Sequence, residues 1–534
     1  MGGFFGVVSK SSCVSDLFFG TDYHSHLGTR RGGMAVLDGD TFTRIIHDIT
    51  NAQFRSKFDD EVGRLSGPCG IGVISDYEDQ PLLIRSHLGT YAIVTVGVVR
   101  NAATLAEKAF RTRHIHFSEM GIGEINPTEL IATLINEGAS FTDGIRHAQD
   151  LIEGSCSILL LTADGLYAAR DRLGRTPVIL GERDGALAVT METTAFPNLG
   201  YQTTRFLGPG EVALMTQDGV ETKKPPLDQL QICAFLWVYY GYPSSDYEGV
   251  NVEFVRNRCG AALARRDDIE VDCVAGIPDS GTAHAIGYAN AAGVPYQRPF
   301  IKYTPTWPRS FMPQEQSIRD LVARMKLVPI RALIKGRRLL FCEDSIVRGT
   351  QLKDIIERLY EYGATEVHMR PACPPLVFGC KFLNFSRSRS ELDLAGRWAI
   401  QEIEGSCEEN LHHYADPRTD EHAAMVEVIR RRLKLTSLKY QRLEDLVAAI
   451  GLPKDSLCTY CWDGVEVSAR CTRRRSARGA FDAPFTLELP WAAGSRAPRI
   501  ETGDPQQTGR RSPALREPLL PGPARAAGKD DIAP

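Results

Sequence analysis

The sequence predicts an α/β protein in two folded parts, residues 1–225 and 230–464, with an unstructured extension over 465–534. Three observations predict it. Residues 1–225 hold short apolar runs broken by Gly and turn residues, the pattern of a mixed antiparallel sheet layered with helices. From about residue 230 buried strands alternate with helical stretches, which favours a parallel sheet. The last 70 residues contain 11 Arg and 9 Pro with no sustained periodicity, a composition that buries too little apolar surface to fold.

In the first part, the runs Phe4 to Val8, Tyr91 to Val96, Cys156 to Leu161 and Leu187 to Met191 read as strands, and Asn126 to Asn136 as a helix. The prolines in Lys223-Lys224-Pro225-Pro226-Leu227 mark a linker. In the second part, Val271 to Ile277, Leu339 to Cys342 and Glu366 to Arg370 read as buried strands. Charge-rich helical sequence from 416 to 450 stops at Gly451-Leu452-Pro453. Across 534 residues, 43% hydrophobic and 24% charged residues exclude collagenous, wholly disordered and small disulfide-scaffold classes. A formal charge of -4 argues against nucleic acid as a partner. The opening Met1-Gly2-Gly3-Phe4-Phe5-Gly6 lacks a basic, then apolar, secretion signal and no run reaches membrane-spanning length, so a cytoplasmic protein without a membrane partner is expected. Thirteen cysteines, an odd number in a large chain, turn attention from disulfides to metal or iron–sulfur ligation.

The most informative stretch runs from Leu339 to Gln351, Leu-Leu-Phe-Cys-Glu-Asp-Ser-Ile-Val-Arg-Gly-Thr-Gln, followed by a helical run to Tyr362. It reads as a buried strand, the acids Glu343 and Asp344, a short loop and a helix start. Such a loop directs backbone N–H groups of Ser345, Ile346, Val347, Arg348, Gly349 and Thr350 at a phosphate, with two hydroxyls as further donors and Gly349 permitting close approach. Two acids beside a phosphate are unfavourable unless they meet hydroxyls or a cation, so a ribose phosphate with Mg²⁺ suits both halves. A bare Glu-Asp-Ser would instead be an acidic helix cap.

Glu343 to Thr350 resembles the phosphoribosyl pyrophosphate loop of type I phosphoribosyltransferases, in the form carried by the glutamine phosphoribosylpyrophosphate amidotransferase family of purine synthesis. That family usually opens this motif with two aspartates; Glu343 keeps the charge on a longer side chain. Two further segments are similar to the family. Gly276-Ile277-Pro278-Asp279-Ser280-Gly281 resembles the strand-loop-helix that holds pyrophosphate and metal, with Asp279 on the substrate and Ser280 at a metal-associated serine. Lys302 through Pro313, then Arg324 to Leu327, resembles the mobile loop, whose Lys302, Arg309 and Lys326 would neutralise pyrophosphate, although Tyr303 to Pro308 departs from the family pattern. Absent the resemblance, those three cations read as a solvated face. The resemblance implies catalytic or metal roles for Glu343 and Asp344, and a class II glutaminase-like αββα sandwich ahead of a phosphoribosyltransferase sheet.

Cys458-Thr459-Tyr460-Cys461 alone is a weak signal, open to structural, zinc or redox readings. The resemblance adds Cys233 and Cys380, completing the ligand set of a 4Fe-4S cluster as in the iron–sulfur branch of the family. A Cys₄ zinc site, uncoordinated thiols, and Cys373 in place of Cys380 stand as alternatives.

The glutaminase of this family attacks glutamine with an N-terminal cysteine whose own amine is the base. Here Gly2 follows Met1, and the nearest thiol, Cys13, lies too far along the chain. Gly72-Val73-Ile74-Ser75-Asp76-Tyr77 stands in place of the family's His-Thr-Arg-Tyr segment, and Thr95 to Val99 in place of Asn-Gly-Asn. Gly28 to Met34 and Ala168 to Pro177 keep the scaffold, with Asp171 read as a turn residue. The expectation is an ammonia-dependent enzyme that forms 5-phosphoribosylamine from phosphoribosyl pyrophosphate. The resemblance also implies a homo-oligomer inhibited by purine nucleotides. The rival is a non-catalytic paralogue that binds the same ligand or a nucleotide and regulates a partner.

Overall fold

In the opening strand, Gly3–Ser9, side chains alternate between two environments because the pleat has a period of two. Phe4 and Val8 enter a core with Val73, Leu159 and Leu166. Phe5 and Val7 face the other way, into the cluster that holds Leu17 and Phe18 of the helix Val14–Asp22. The computed structural model describes residues 2–113, 117, 120–121, 124–303, 327–383 and 391–466.

Two antiparallel sheets stack in the N-terminal part. The first has seven strands in the order Gln202–Phe206, Ile179–Arg183, Ala186–Thr190, Gly3–Ser9, Cys69–Ser75, Arg31–Asp38 and Thr41–Asp48. The second has six: Gly219–Lys224, Val212–Thr216, Gly165–Ala169, Gly154–Thr162, Gly89–Val99 and Leu82–Ser86. Ala92 and Val94 point into the space between the sheets, while Tyr91 and Ile93 pack outward with Leu130, Ile131 and Ile145 of the helices Pro127–Ile135 and Phe141–Leu151. The first of these helices starts where the Asn126 side chain accepts the Thr128 N–H at 2.9 Å, with Pro127 at its first position. The result is a helix–sheet–sheet–helix stack. The expected linker begins later than its lysines: Lys223 and Lys224 still belong to a strand, and only Pro225, lacking an N–H, ends the pairing.

The second part is a parallel sheet of Cys273–Gly276, Arg338–Glu343, Glu366–Pro371 and Ser437–Leu438 in that order. Helices Thr282–Ala292 and Thr350–Glu361 follow the first two strands, so the ends of both strands open into loops at one edge, where ligands bind in open α/β sheets. The charged stretch from 416 divides into helices Asp420–Arg432 and Leu443–Ile450, the last closed by Gly451 at φ 84°. A buried ion pair ties the sheet to its neighbours: Arg370 donates to both carboxylate oxygens of Asp267, at 2.5 and 3.1 Å, and Lys439 adds a third contact at 3.0 Å. Burial alone would raise the Asp267 pKa, but Arg370 outweighs it and holds the carboxyl at about 2.

The two parts share one hydrophobic cluster and also meet through polar contacts. Fully buried Arg170 pairs with Glu248 at 2.8 Å, and Glu192 accepts the Tyr247 hydroxyl at 2.6 Å and the Tyr242 N–H at 3.1 Å. No helix among the described residues is long and apolar enough to cross a membrane. The Arg/Pro-rich extension from 467 onward lies outside the described residues.

Candidate active site

The central strand of the parallel sheet ends at Glu343, and the chain turns through Asp344 to Gly349 before the helix that opens at Thr350. Gly349 has φ 78°, a left-handed conformation that glycine adopts without steric cost, and this reversal lets the helix start directly after the turn. Ile346 is buried beneath the turn, and the Val347 carbonyl accepts the Ala395 N–H at 2.7 Å. The turn is thus anchored from below, and its residues Ser345 to Gly349 line a cleft of about 580 Å³, within the range of small-molecule sites.

Ser280, Glu343, Asp344 and the run Ser345 to Gly349 all line this cleft. The Ser280 hydroxyl donates to Glu343 Oε1 at 3.2 Å, the Asp344 N–H reaches the same oxygen at 3.2 Å, and Ser345 donates to Asp344 Oδ1 at 2.6 Å. Burial pushes both carboxyls up, Glu343 well above its ordinary value because Asp344 lies beside it. Such a pair shares protons and titrates as a unit. A hard divalent cation would replace that proton with better-matched charge, and two carboxylates with a hydroxyl are the oxygen donors Mg²⁺ takes.

The other expected substrate residues are distributed differently. Asp279 lines a different cavity, of about 410 Å³, and Lys302 forms an ion pair with it. The Lys302 charge is therefore matched by Asp279, both side chains being exposed. Arg309, Lys326 and the rest of the expected mobile loop, 304–326, lie outside the described residues, as does the side chain of Thr350. Sequence reasoning missed one wall. Phe235, Tyr239 and Tyr240 line the cleft from a π-helical turn, Leu236–Tyr240. Buried Arg256 holds that turn by donating to the Trp237, Tyr239 and Gly241 carbonyls at 2.8 to 3.0 Å. The available signal was the aromatic run Phe235 to Tyr240, which pointed only to core.

Beside this wall, Cys233, Cys380, Cys458 and Cys461 surround one small cavity with Arg175, Phe235 and Phe382. Cys233 and Cys458 are register partners on two short parallel strands, Ile232–Cys233 and Leu457–Cys458, which sets their side chains on one face. Cys461 is brought in by the following helix, Tyr460–Asp463, and its carbonyl receives the Val377 and Phe378 N–H groups at 3.2 and 3.1 Å, carrying Cys380 to the same place. A hydrogen bond to Cys380, then burial, raises the Cys461 thiol well above its ordinary value. Cys373 does not line this cavity; it is buried near Asp344 and Trp462. Four soft thiols without a competing carboxylate are the donor set of a tetrahedral metal or an iron–sulfur centre. The cavity is only about 10 Å³. Among the described residues no His, Cys, Asp and Glu side chains form a ready-spaced ion-binding group.

Three positions of the N-terminal part bear on amide hydrolysis. A side chain at position 2 would place its Cβ 2.1 Å from the Ile74 carbonyl oxygen, so Gly2 is enforced by contact. Cys13 is fully buried, and burial first, with Cys69 beside it, raises its thiol to about 12. Asp171 accepts the Leu173 and Thr176 N–H groups and the Thr176 hydroxyl at 3.0 to 3.2 Å, which commits it to its turn.

The comparisons with known proteins decide the family. A family model described as a glutamine amidotransferase domain matches residues 69–198. The amidophosphoribosyltransferase of Bacillus subtilis is 30% identical over 413 residues, which cover 75% of this chain and 85% of that protein. The chain belongs to the amidophosphoribosyltransferase family. The Mycobacterium bovis amidophosphoribosyltransferase is 31% identical over 475 residues, covering 86% of this chain and 85% of the relative. Among solved structures, the Bacillus subtilis glutamine phosphoribosylpyrophosphate amidotransferase complexed with ADP and GMP superposes with TM-score 0.75 and 27% identity, covering 87% of this chain and 96% of the other. A structure described as the allosteric regulatory enzyme of purine biosynthesis gives TM-score 0.76 and 26% identity over 88% and 97%. The expected fold, a glutaminase-like sandwich before a phosphoribosyltransferase sheet, is that of the amidophosphoribosyltransferases, and so is the expected enzyme class, a pentosyltransferase.

Proposed function

We propose that this amidophosphoribosyltransferase homologue forms 5-phosphoribosylamine from phosphoribosyl pyrophosphate and free ammonia, an early step of purine synthesis in the cytoplasm. The observation that carries it is the meeting of Glu343, Asp344, Ser280 and the Ser345–Gly349 turn in one cleft. In this reading the turn grips the 5-phosphate through its amides, helped by the N-terminal end of the helix dipole. Glu343 and Asp344 hold the ribose diol and Mg²⁺, and Ser280 orients the Glu343 carboxylate. Lys302, Arg309 and Lys326 are assigned to the departing pyrophosphate, with Asp279 releasing Lys302 as substrate arrives. Mg²⁺, when bound, neutralises charge building on that leaving group. Ammonia then attacks the anomeric carbon as the bond to pyrophosphate breaks, and the ammonium formed loses one proton to solvent. Most of the rate comes from positioning and charge compensation, since no group of the enzyme bonds to substrate.

Ammonia dependence is supported by the closed position of Gly2, the inert Cys13 thiol and the occupied Asp171 carboxylate. Cys233, Cys380, Cys458 and Cys461 would hold a 4Fe-4S cluster with a structural or oxygen-sensing role, because pentosyl transfer moves no electrons; the alternative occupant is zinc. Homo-oligomerisation and inhibition by purine nucleotides belong to the same reading, and the solved relative with ADP and GMP supports the latter. The second reading, a non-catalytic paralogue that binds phosphoribosyl pyrophosphate or a purine nucleotide and regulates a partner, is supported by the lengthened Glu343, the crowded Gly2 and the buried Cys13. Pyrophosphate release with phosphoribosyl pyrophosphate, Mg²⁺ and ammonium separates the two. Turnover that Asp344→Ala abolishes supports the enzyme; binding without turnover supports the regulator.

A further inference from the structure

Arg175 belongs to the N-terminal part by sequence, in the turn between the strands Gly165–Ala169 and Ile179–Arg183, yet it contacts the cysteine cavity of the second part. Its backbone carbonyl accepts the Cys233 N–H at 3.1 Å. Its guanidinium stacks 3.7 Å from the centroid of Phe382, two residues beyond Cys380, and one terminal nitrogen donates to the Gly154 carbonyl at 3.0 Å. The same guanidinium also lies within hydrogen-bonding reach of the Cys458 sulfur. One residue therefore touches three of the four cysteine-bearing segments. It is only 5% exposed, and its Nε–H has no hydrogen-bond partner. Leaving a donor of a buried cation unmade costs more than an ordinary hydrogen bond contributes, and the Cys458 sulfur that the guanidinium already meets is an acceptor at hand.

We propose that Arg175 is a positioning residue for the four-cysteine centre, supplying from the N-terminal part the positive charge and the Nε–H donor that a metal-bound thiolate set requires. The inference rests on the reading that Cys233, Cys380, Cys458 and Cys461 hold a metal or cluster. Four thiolates around one divalent ion, or around a 4Fe-4S core in its usual oxidised form, leave a net double negative charge in an apolar cavity. Arg175 is the charged side chain among the described residues that line it. Binding of metal releases the thiol protons, and the cysteine sulfur then accepts the idle Nε–H. The glutaminase-like half would thus remain necessary without hydrolysing glutamine, because it completes the shell of the centre. Phe235 and Cys461 also line the phosphoribosyl cleft, so the centre supports one wall of that cleft.

The test uses the full chain, reconstituted anaerobically with ferrous iron and sulfide in one sample and with Zn²⁺ in another. Metal loss to a chelator is followed in wild type, Arg175→Met and Arg175→Lys, together with the melting temperature of each metal-free protein. Outer-shell partners of metal ligands typically contribute 10–100-fold in affinity. Arg175→Met is expected to release metal faster by about that factor, Arg175→Lys by less, with metal-free melting unchanged. Should Arg175→Met also melt lower, Arg175→Lys decides, since it keeps the charge and loses the planar donor: release between wild type and Met supports the inference. Equal release from all three proteins overturns the role of Arg175 while leaving the centre standing. A wild type that retains neither iron nor zinc overturns the centre and the inference together.

Discussion

At the scale of single residues, the site depends on placing two acids where water is scarce. Both Glu343 and Asp344 are raised by burial, and Glu343 further by the charge of Asp344 beside it, so without a cation the folded chain holds protons that the unfolded chain releases. The sign follows from linkage: a carboxyl whose folded pKa is raised destabilises the fold increasingly as pH climbs above the unfolded value near 4. Metal-free protein should therefore lose thermal stability as pH rises above about 4, and Mg²⁺ should restore it. Asp344→Asn should flatten that dependence and raise the metal-free melting temperature while lowering turnover by roughly 100-fold or more. A variant equally sensitive to pH would show that the pair does not store this cost. The residues were legible because an acid pair, a small-residue turn and a helix start form a contiguous string. Arg256 and Arg175 were not, because each acts on segments distant in sequence, and a lone arginine carries no periodic signature.

At the scale of elements, strands and helices followed from alternation and capping. The run Phe4 to Val8 lies within the strand Gly3–Ser9, and Asn126 and Asn136 flank the helix Pro127–Ile135 as its caps. Alternation could not show which strands pair, since register depends on partners far along the chain; the parallel strands carrying Cys233 and Cys458 are two residues each, too short for any pattern. Charge patterning similarly concealed the buried pair that fixes Arg370 to Asp267. With Asp267 held at about 2, the folded state gains stability above pH 4 and loses it as pH falls from about 4 to 2. Removing one partner strands the other, so Asp267→Asn should cost about 3–5 kcal/mol at pH 7, read as a lower urea midpoint. A change below about 1 kcal/mol would place the pair among the weak surface bridges instead.

At the scale of the whole molecule, the chain joins the Glu343–Asp344 cleft to a glutaminase-like sandwich. Gly2 has no room for a side chain, and the Cys13 thiol is buried, with its pKa raised by that burial. Purified protein incubated with glutamine should therefore yield no glutamate above background, and Cys13→Ala should change nothing; steady glutamate production retained in that variant would refute the ammonia-dependent account. The sandwich is instead bound to the rest by the Arg170–Glu248 pair and by Arg175 at the cysteine cavity. The central claim is that the turn after the Arg338–Glu343 strand seats a phosphorylated pentose. Titration calorimetry with phosphoribosyl pyrophosphate and Mg²⁺ tests it most directly. Saturable heat that Asp344→Ala removes is the predicted result, and a flat titration of well-folded wild-type protein would contradict the account.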